Sequence, residues 1–258
     1  MTSNTSSKAD ALQPWPYPLW VAHRGAGKLA PENTLAAFRL GASHGYRMFE
    51  CDAKLSADGV VFLLHDDTLE RTSNGHGAAG DLPWSDLSRL DAGSWHSRQF
   101  AGEPLPTLEN IARFCQTNAT WLNIEIKPTP GLERETGRRV AQAAQLLWAG
   151  QPAQWAPLLT SFQPESLIGA KEAAPDLRRG LLLDTLWAGW QSVATDLACV
   201  ALVCNHTLWT PALREEARHM GLRALAYTVN DAPDVTRLLA LQLDGIITDR
   251  VDRFAPER

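Results

Sequence analysis

Short apolar runs recur along the chain, and most stop on or beside an ionisable residue. Apolar runs of about four to eight residues bounded by turn signals read as buried strands. They predict strands at Leu19–His23, Arg47–Lys54, Trp121–Ile126, Leu158–Phe162, Gly180–Leu183, Ala198–Val203, Ala224–Thr228 and Gly245–Thr248. Between them lie helical stretches at Asn33–His44, Glu133–Trp148, Pro164–Ala174, Pro211–Met220 and Ala232–Leu241. Thr34 or Asn33 can cap the first and Asp231 the last, and Pro211 after Thr210 suits a first helical turn. Strands that are apolar nearly throughout belong to a parallel sheet buried on both faces. Eight of them, each followed by a helix, predict an α/β fold, the TIM (β/α)8 barrel of about 250 residues.

One segment breaks the rhythm. From Asp66 to Pro106 there is no long helical period, but many Gly, Ser, Asp and Trp residues. Asp58-Gly59 reads as a tight turn, so Lys54 to Leu64 is expected to form a hairpin-like extension. A connection this long is expected to be an insertion after the second strand, at about residues 66–106, with a small structure of its own. Insertions at the carboxyl ends of barrel strands cover active sites. Residues 1–14 are read as a flexible N-terminus and 15–258 as a single catalytic barrel domain.

The 258 residues are 45% hydrophobic and 21% charged, enough for a sizeable core. A net charge of −5 argues against nucleic acid or an anionic membrane surface as a partner. No apolar run approaches the roughly 20 residues that span a bilayer. The start, Met1 to Lys8, lacks the basic-then-apolar order of a signal peptide. A cytoplasmic enzyme is therefore expected. The four cysteines, Cys51, Cys115, Cys199 and Cys204, have no metal-type spacing and read as buried free thiols in a reducing compartment. Cys199 and Cys204, on one predicted strand at an odd separation, should face opposite ways.

The chemistry concentrates at strand ends. Glu50 and Asp52 are two apart on one strand and share a face, while Cys51 points away. Glu125 ends another strand in the same layer. Three converging carboxylates repel one another unless protonated or bridged by a cation, and all-oxygen donors select hard ions, Mg²⁺ or Ca²⁺. The plainer alternative is that Glu50 and Asp52 pair with Arg47 or Lys54. His23 and His65 end two further apolar runs beside the carboxylates, and imidazoles titrate near neutral pH, so one can accept a proton while the other donates one. Arg24 and Lys127 supply the positive charge that a phosphate needs in a carboxylate-lined site. His44, His76, His96, His206 and His219 are not expected to be catalysts, His206 being the closest to a strand end. Gly25-Ala26-Gly27-Lys28-Leu29-Ala30 fits the dinucleotide fingerprint in spacing. Pro31 and the later capping residues, however, place the helix start beyond the glycines. These glycines are expected to let the backbone pass close to a substrate.

At these residues the chain resembles the glycerophosphodiester phosphodiesterases. The shared motifs are Ala22-His23-Arg24-Gly25, Ala30-Pro31-Glu32-Asn33-Thr34, Phe49-Glu50-Cys51-Asp52, Leu64-His65-Asp66-Asp67, Ile124-Glu125-Ile126-Lys127, Tyr227-Thr228-Val229-Asn230 and Gly245-Ile246-Ile247-Thr248-Asp249. They run in family order over nearly the whole chain. Leu69-Glu70-Arg71-Thr72-Ser73-Asn74-Gly75 and Asp91-Ala92-Gly93-Ser94-Trp95 look like the bacterial cytosolic members linked to glycerol 3-phosphate uptake.

The resemblance implies a TIM barrel with an insertion after the second strand. It implies a divalent cation on Glu50, Asp52 and Glu125, an acid–base pair in His23 and His65, and a phosphate held by Arg24 and Lys127. Phe162 and Tyr227 would line the groove, Tyr227 standing where the family often has Trp. The expected reaction is hydrolysis of glycerophosphodiesters, such as glycerophosphocholine or glycerophosphoethanolamine, to glycerol 3-phosphate and an alcohol. Either water or the glycerol 2-hydroxyl, through a cyclic phosphate, could attack. The rivals are a phospholipase-D-like lyase that stops at the cyclic phosphate, a nicotinamide oxidoreductase using the glycine run, and a silent binding protein. A homodimer is an open alternative to a monomer.

Overall fold

The computed structural model describes residues 15–254 and Pro256, so the stretch 1–14, expected to be flexible, lies outside the described residues. The strands are β1 (Trp20–Ala22), β2 (Met48–Leu55), β3 (Val61–Leu63), β4 (Trp121–Ile126), β5 (Leu158–Ser161), β6 (Arg178–Leu183), β7 (Ala201–Asn205), β8 (Arg223–Tyr227) and β9 (Gly245–Thr248). The α-helices are α1 (Leu35–Ser43), α2 (Trp84–Leu87), α3 (Leu108–Thr117), α4 (Glu133–Leu147), α5 (Pro164–Ala173), α6 (Trp190–Asp196), α7 (Pro211–His219) and α8 (Ala232–Ala240).

The order β1-β9-β8-β7-β6-β5-β4-β2 is closed by β1 pairing with β2, and every one of these pairings is parallel. This is the eight-stranded barrel that the alternation of apolar runs and helices predicts. β3 adds antiparallel to the outer end of β2, with Ala53 opposite Leu63, and forms the expected hairpin. It carries His65 back over the barrel mouth. Residues 64–107 contain α2 and short 3₁₀ turns at Ala79–Asp81 and Arg98–Phe100. Their buried side chains Leu64, Leu69, Ala79, Leu87, Ala92 and Leu105 gather with Phe62 into a separate small core.

The barrel interior follows the two-residue period of a strand. Val21, Met48, Leu158, Leu182, Val203, Leu225 and Ile247 plug its lower part as one apolar cluster. Two or four residues further along the same faces stand His23, Glu50, Asp52, Thr160 and Tyr227. The site therefore rests directly on a dry core.

Local signals account for several helix starts. Thr34 accepts a hydrogen bond from the Ala37 amide and caps α1, and Thr210 does the same for α7 ahead of Pro211. Thr107 and Asn110 form a capping box at α3, a helix beyond those predicted, as is α6. Two expectations fail. Asp231 makes no capping hydrogen bond at α8. Ala198 has φ of +50° and ends the α6 connection, so β7 starts only at Ala201 and Cys199 is not on the strand with Cys204.

All four cysteines are free, and Cys51, Cys115 and Cys204 are buried. Burial pushes the thiols of Cys115, Cys199 and Cys204 up to about 12, and that of Cys51 well above its ordinary value. In the folded protein at pH 8 a chromogenic disulfide reagent should therefore react slowly with all four and rapidly only after unfolding. A thiol that reacts at once in the native state would contradict this packing.

Candidate active site

Among the described residues, Glu50, Asp52 and Glu125 form the one group of acids whose ligand atoms could surround a metal ion, all lying within 4.8 Å of one another. β2 supplies the first two from one face, and its register places Asp52 opposite Glu125 on β4. All three are buried, Glu125 on the edge of exposure at 9%. Burial together with Asp52 and Glu125 pushes the Glu50 carboxyl well above the ordinary range. Burial and Asp52 raise Glu125, against the pull of Lys127. Burial acts on Asp52 in the same sense, but Arg24, Lys127, His65 and a hydrogen bond from Asn33 outweigh it and hold that carboxyl low.

The oxygens do not satisfy one another. Glu50 Oε1 and Asp52 Oδ1 are buried without a hydrogen-bond partner. Glu125 Oε1 lies 2.9 Å from Lys127 Nζ, yet outside hydrogen-bonding geometry. Unpartnered buried carboxylate oxygens are costly, and a hard cation is the group that an all-oxygen set of this kind fits. The plainer pairing fails: Lys54 binds Asp67 at 2.9 Å, and Arg47 donates to the Ala119 carbonyl.

The candidate imidazoles are each held by a carboxylate at Nδ1, His23 by Asp249 Oδ1 and His65 by Asp66 Oδ1, both at 2.7 Å. A neutral imidazole that donates through Nδ1 carries its lone pair on Nε2. Asp249 is itself fixed by Asn230, which donates to Oδ2 and accepts from the Asp249 amide, both at 2.9 Å. Burial lowers the His65 pKa, with Asp52 opposing and Arg24 and Lys127 adding to the shift.

The turn after β1 brings Arg24 in. Arg24 and Asn33 take left-handed φ values of +50° and +59°, which non-glycine residues adopt at a cost. In return the Arg24 amide donates to Glu50 Oε2 at 2.9 Å, and its guanidinium bonds Glu32 Oε1 at 2.7 Å. Asn33 grips Asp52 from side chain to side chain at 2.8 Å and accepts its amide at 3.0 Å. The neighbouring glycines have a different use from the one expected. A Cβ on Gly25 would sit 2.8 Å from the Ala37 Cβ, and one on Gly27 would sit 2.2 Å from backbone atoms of Asp249. They let the turn pack on α1 and on the end of β9. With α1 starting only at Leu35, the run is also no dinucleotide loop.

His23, Arg24, Glu50, His65, Asn123, Glu125, Lys127, Phe162, Leu182, Tyr227, Thr228 and Ile247 line a cavity of about 160 Å³ at the barrel mouth. One wall is ionic and the other is apolar. Phe162 and Tyr227 meet edge-on with centroids 5.6 Å apart, and Lys127 Nζ stands 5.6 Å from the Phe162 ring. His206, in contrast, faces Asp234 at 3.5 Å and is not among the residues lining this cavity. The sequence assigned no part in the site to Asp249, Asp66, Asn33, Glu32 or Asn123. Asp66 was legible as the neighbour of His65 and Asp249 as the polar residue after β9, but their partners are set by the fold.

Fold and site together define a (β/α)8-barrel enzyme for a small anionic substrate. Residues 23–253 match the model of the glycerophosphoryl diester phosphodiesterase family, and the chain belongs to this family as a phosphoric diester hydrolase, a glycerophosphodiester phosphodiesterase. A glycerophosphodiester phosphodiesterase of Caldanaerobacter subterraneus subsp. tengcongensis is 32% identical over 90% of this chain and 93% of its own. One from Bacillus subtilis is 30% identical over 97% and 89%. Among solved structures, an Oleispira antarctica phosphodiesterase in complex with the product sn-glycerol-3-phosphate superposes with a TM-score of 0.83. It is 32% identical and covers 90% of this chain and 93% of that one. The Agrobacterium tumefaciens glycerophosphodiester phosphodiesterase gives 0.78 at 31% identity, over 92% and 99%. No helix among the described residues is long and apolar enough to cross a membrane.

His23 and Asn230 hold the Asp249 carboxyl down to about 2 against the opposing effect of burial. A carboxyl lowered on folding stabilises the fold above its unfolded pKa, and that stability is lost as pH falls through the folded value. Asp249→Asn should thus cost about 2 kcal/mol at pH 7 and remove the matching part of the loss between pH 4 and 2. Denaturant melts at several pH values measure both.

Proposed function

We propose that the enzyme hydrolyses glycerophosphodiesters, with glycerophosphocholine and glycerophosphoethanolamine as representative substrates, to sn-glycerol 3-phosphate and the free alcohol. The observation that carries the proposal is the convergence of Glu50, Asp52 and Glu125 on one point between two carboxylate-held imidazoles and two cations. The relative from Oleispira antarctica, described with sn-glycerol-3-phosphate as its product, supports the same product here.

Glu50, Asp52 and Glu125 would hold Mg²⁺ or Ca²⁺, which would supply positive charge to neutralise the phosphate. Arg24 and Lys127 orient the phosphate and offset its remaining charge. One of His23 and His65 takes, at Nε2, the proton of the attacking oxygen, whether of water or of the glycerol 2-hydroxyl, and the other gives one to the departing alkoxide. Where the 2-hydroxyl attacks, water then opens the cyclic phosphate with the two roles exchanged. The carboxylates at Nδ1 keep both rings turned toward the phosphate through that exchange. Phe162 and Tyr227 give the glycerol carbons an apolar wall and exclude water from that side. The free thiols, three of them buried, suit a reducing cytoplasm.

His23→Ala and His65→Ala should each lower the rate on the order of 10²-fold or more, followed by release of glycerol 3-phosphate. Near-wild-type turnover in either would remove that residue from the acid–base pair. Chelated protein should be inactive and recover with Mg²⁺ or Ca²⁺. The same ions should raise its melting temperature, but not that of Asp52→Ala. Full activity after exhaustive chelation would refute the carboxylate site. Phosphorus NMR separates the hydrolase from a lyase: accumulation of a cyclic phosphate as the final product would favour the latter.

A further inference from the structure

Arg71 lies outside the cavity, on the segment between β3 and α3, with 44% of its side chain exposed. All three of its guanidinium nitrogens nevertheless donate hydrogen bonds. Nε and Nη2 donate to Asp66 Oδ2 and Oδ1 at 2.6 and 2.9 Å. Nη1 and Nη2 donate to Glu32 Oε2 and Oε1, both at 2.8 Å. One planar group thus makes a two-pronged contact with each of two carboxylates, which an ammonium cannot reproduce.

Each carboxylate hands the contact on toward the site. Asp66 Oδ1 meets His65 Nδ1 at 2.7 Å. Glu32 Oε1 meets Arg24 Nη1 at 2.7 Å, and Arg24 Nε stands 3.3 Å from Asp52 Oδ2. A chain of alternating charge therefore runs from His65 through Asp66, Arg71, Glu32 and Arg24 to Asp52. Its two ends enter from different parts of the barrel, His65 from the hairpin on β2 and Arg24 from the left-handed turn after β1. Isolated exposed ion pairs contribute little, but bidentate contacts joined in a network are the exception. Without the guanidinium, Asp66 and Glu32 would present like charges across the gap that Nη2 now fills.

We propose that Arg71 is a positioning residue for the hydrolysis: through Asp66 it fixes the imidazole of His65, and through Glu32 it fixes the guanidinium of Arg24. The proposal rests on the roles given above to His65 and Arg24. It makes the segment between β3 and α3 a working part of the site, since this segment carries the clamp that sets a proton-transfer group and a phosphate-binding group in register.

The two arms have separable signatures. Arg71→Ala should lower kcat/KM about ten- to a hundredfold, the size of a small misplacement of reacting groups. Asp66→Asn should reproduce the kcat part and Glu32→Gln the KM part. Combining Arg71→Ala with either should cost less than the sum of the single changes, because the residues act in one chain. Millimolar guanidinium should restore part of the activity of Arg71→Ala and none of that of His65→Ala. Arg71→Lys, which can reach one carboxylate at a time, should fall between wild type and Arg71→Ala. Thermal melts separate folding from positioning, with the Arg71→Ala midpoint expected within a few degrees of wild type. Wild-type kinetics in Arg71→Ala, or a loss that guanidinium does not restore and that tracks a collapsed midpoint, would overturn the coupling. With His65→Ala and Arg24→Ala measured alongside, wild-type kinetics in Arg71→Ala overturns the coupling and leaves the roles standing. Wild-type turnover in His65→Ala removes the role and the coupling together.

Discussion

Three carboxylates held within 4.8 Å in a buried barrel mouth are the constraint on which the rest of the structure depends. Left alone, such a group repels itself and loses its hydration, so it must be protonated, paired or bridged. The protein itself answers with the first two. Glu50 is driven toward its protonated form, Asp52 is held ionised by Arg24 and Asn33, and Lys127 stands against Glu125. Two oxygens still have no partner. A cavity of this composition is stable only as part of a larger arrangement, and that arrangement is the site.

The backbone is shaped to the same end. Arg24 and Asn33 occupy left-handed conformations so that one amide reaches Glu50 and one side chain reaches Asp52. Gly25 and Gly27 remove the atoms that would keep this turn off α1 and the end of β9. That close approach also brings Asp249 beneath His23. Strain in the turn and the packing of its glycines therefore serve one outcome, the placing of charge around the acidic centre.

Much of this was legible in the sequence because a strand repeats every two residues. Glu50 and Asp52 had to share a face, and the apolar residues two positions before His23 and Glu50 had to plug the barrel below them. The barrel follows from eight apolar runs alternating with helices, the hairpin from the Asp58-Gly59 turn, and the shared face of Glu50 and Asp52 from that period. What escaped depends on pairs distant in the chain. Asp249 meets His23 across 226 positions and Arg71 meets Glu32 across 39, and no local pattern reports such contacts. The glycines were legible as special but not for their neighbours, which are atoms of α1 and of Asp249. The premise about Cys199 failed for a local reason, since the left-handed residue at Ala198 delays the start of β7.

The acidic centre also links cation binding to protons. Burial and the neighbouring Asp52 and Glu125 raise the Glu50 carboxyl well above the ordinary range, so a divalent ion competes with protons for that ligand. Calorimetric titration of Mg²⁺ or Ca²⁺ into the metal-free protein, repeated in two buffers of different ionisation enthalpy, tests this most directly. The expected result is saturable single-site binding between pH 7 and 5, accompanied by proton release. Absence of saturable binding in that pH range would contradict the reading of Glu50, Asp52 and Glu125 as a cation site.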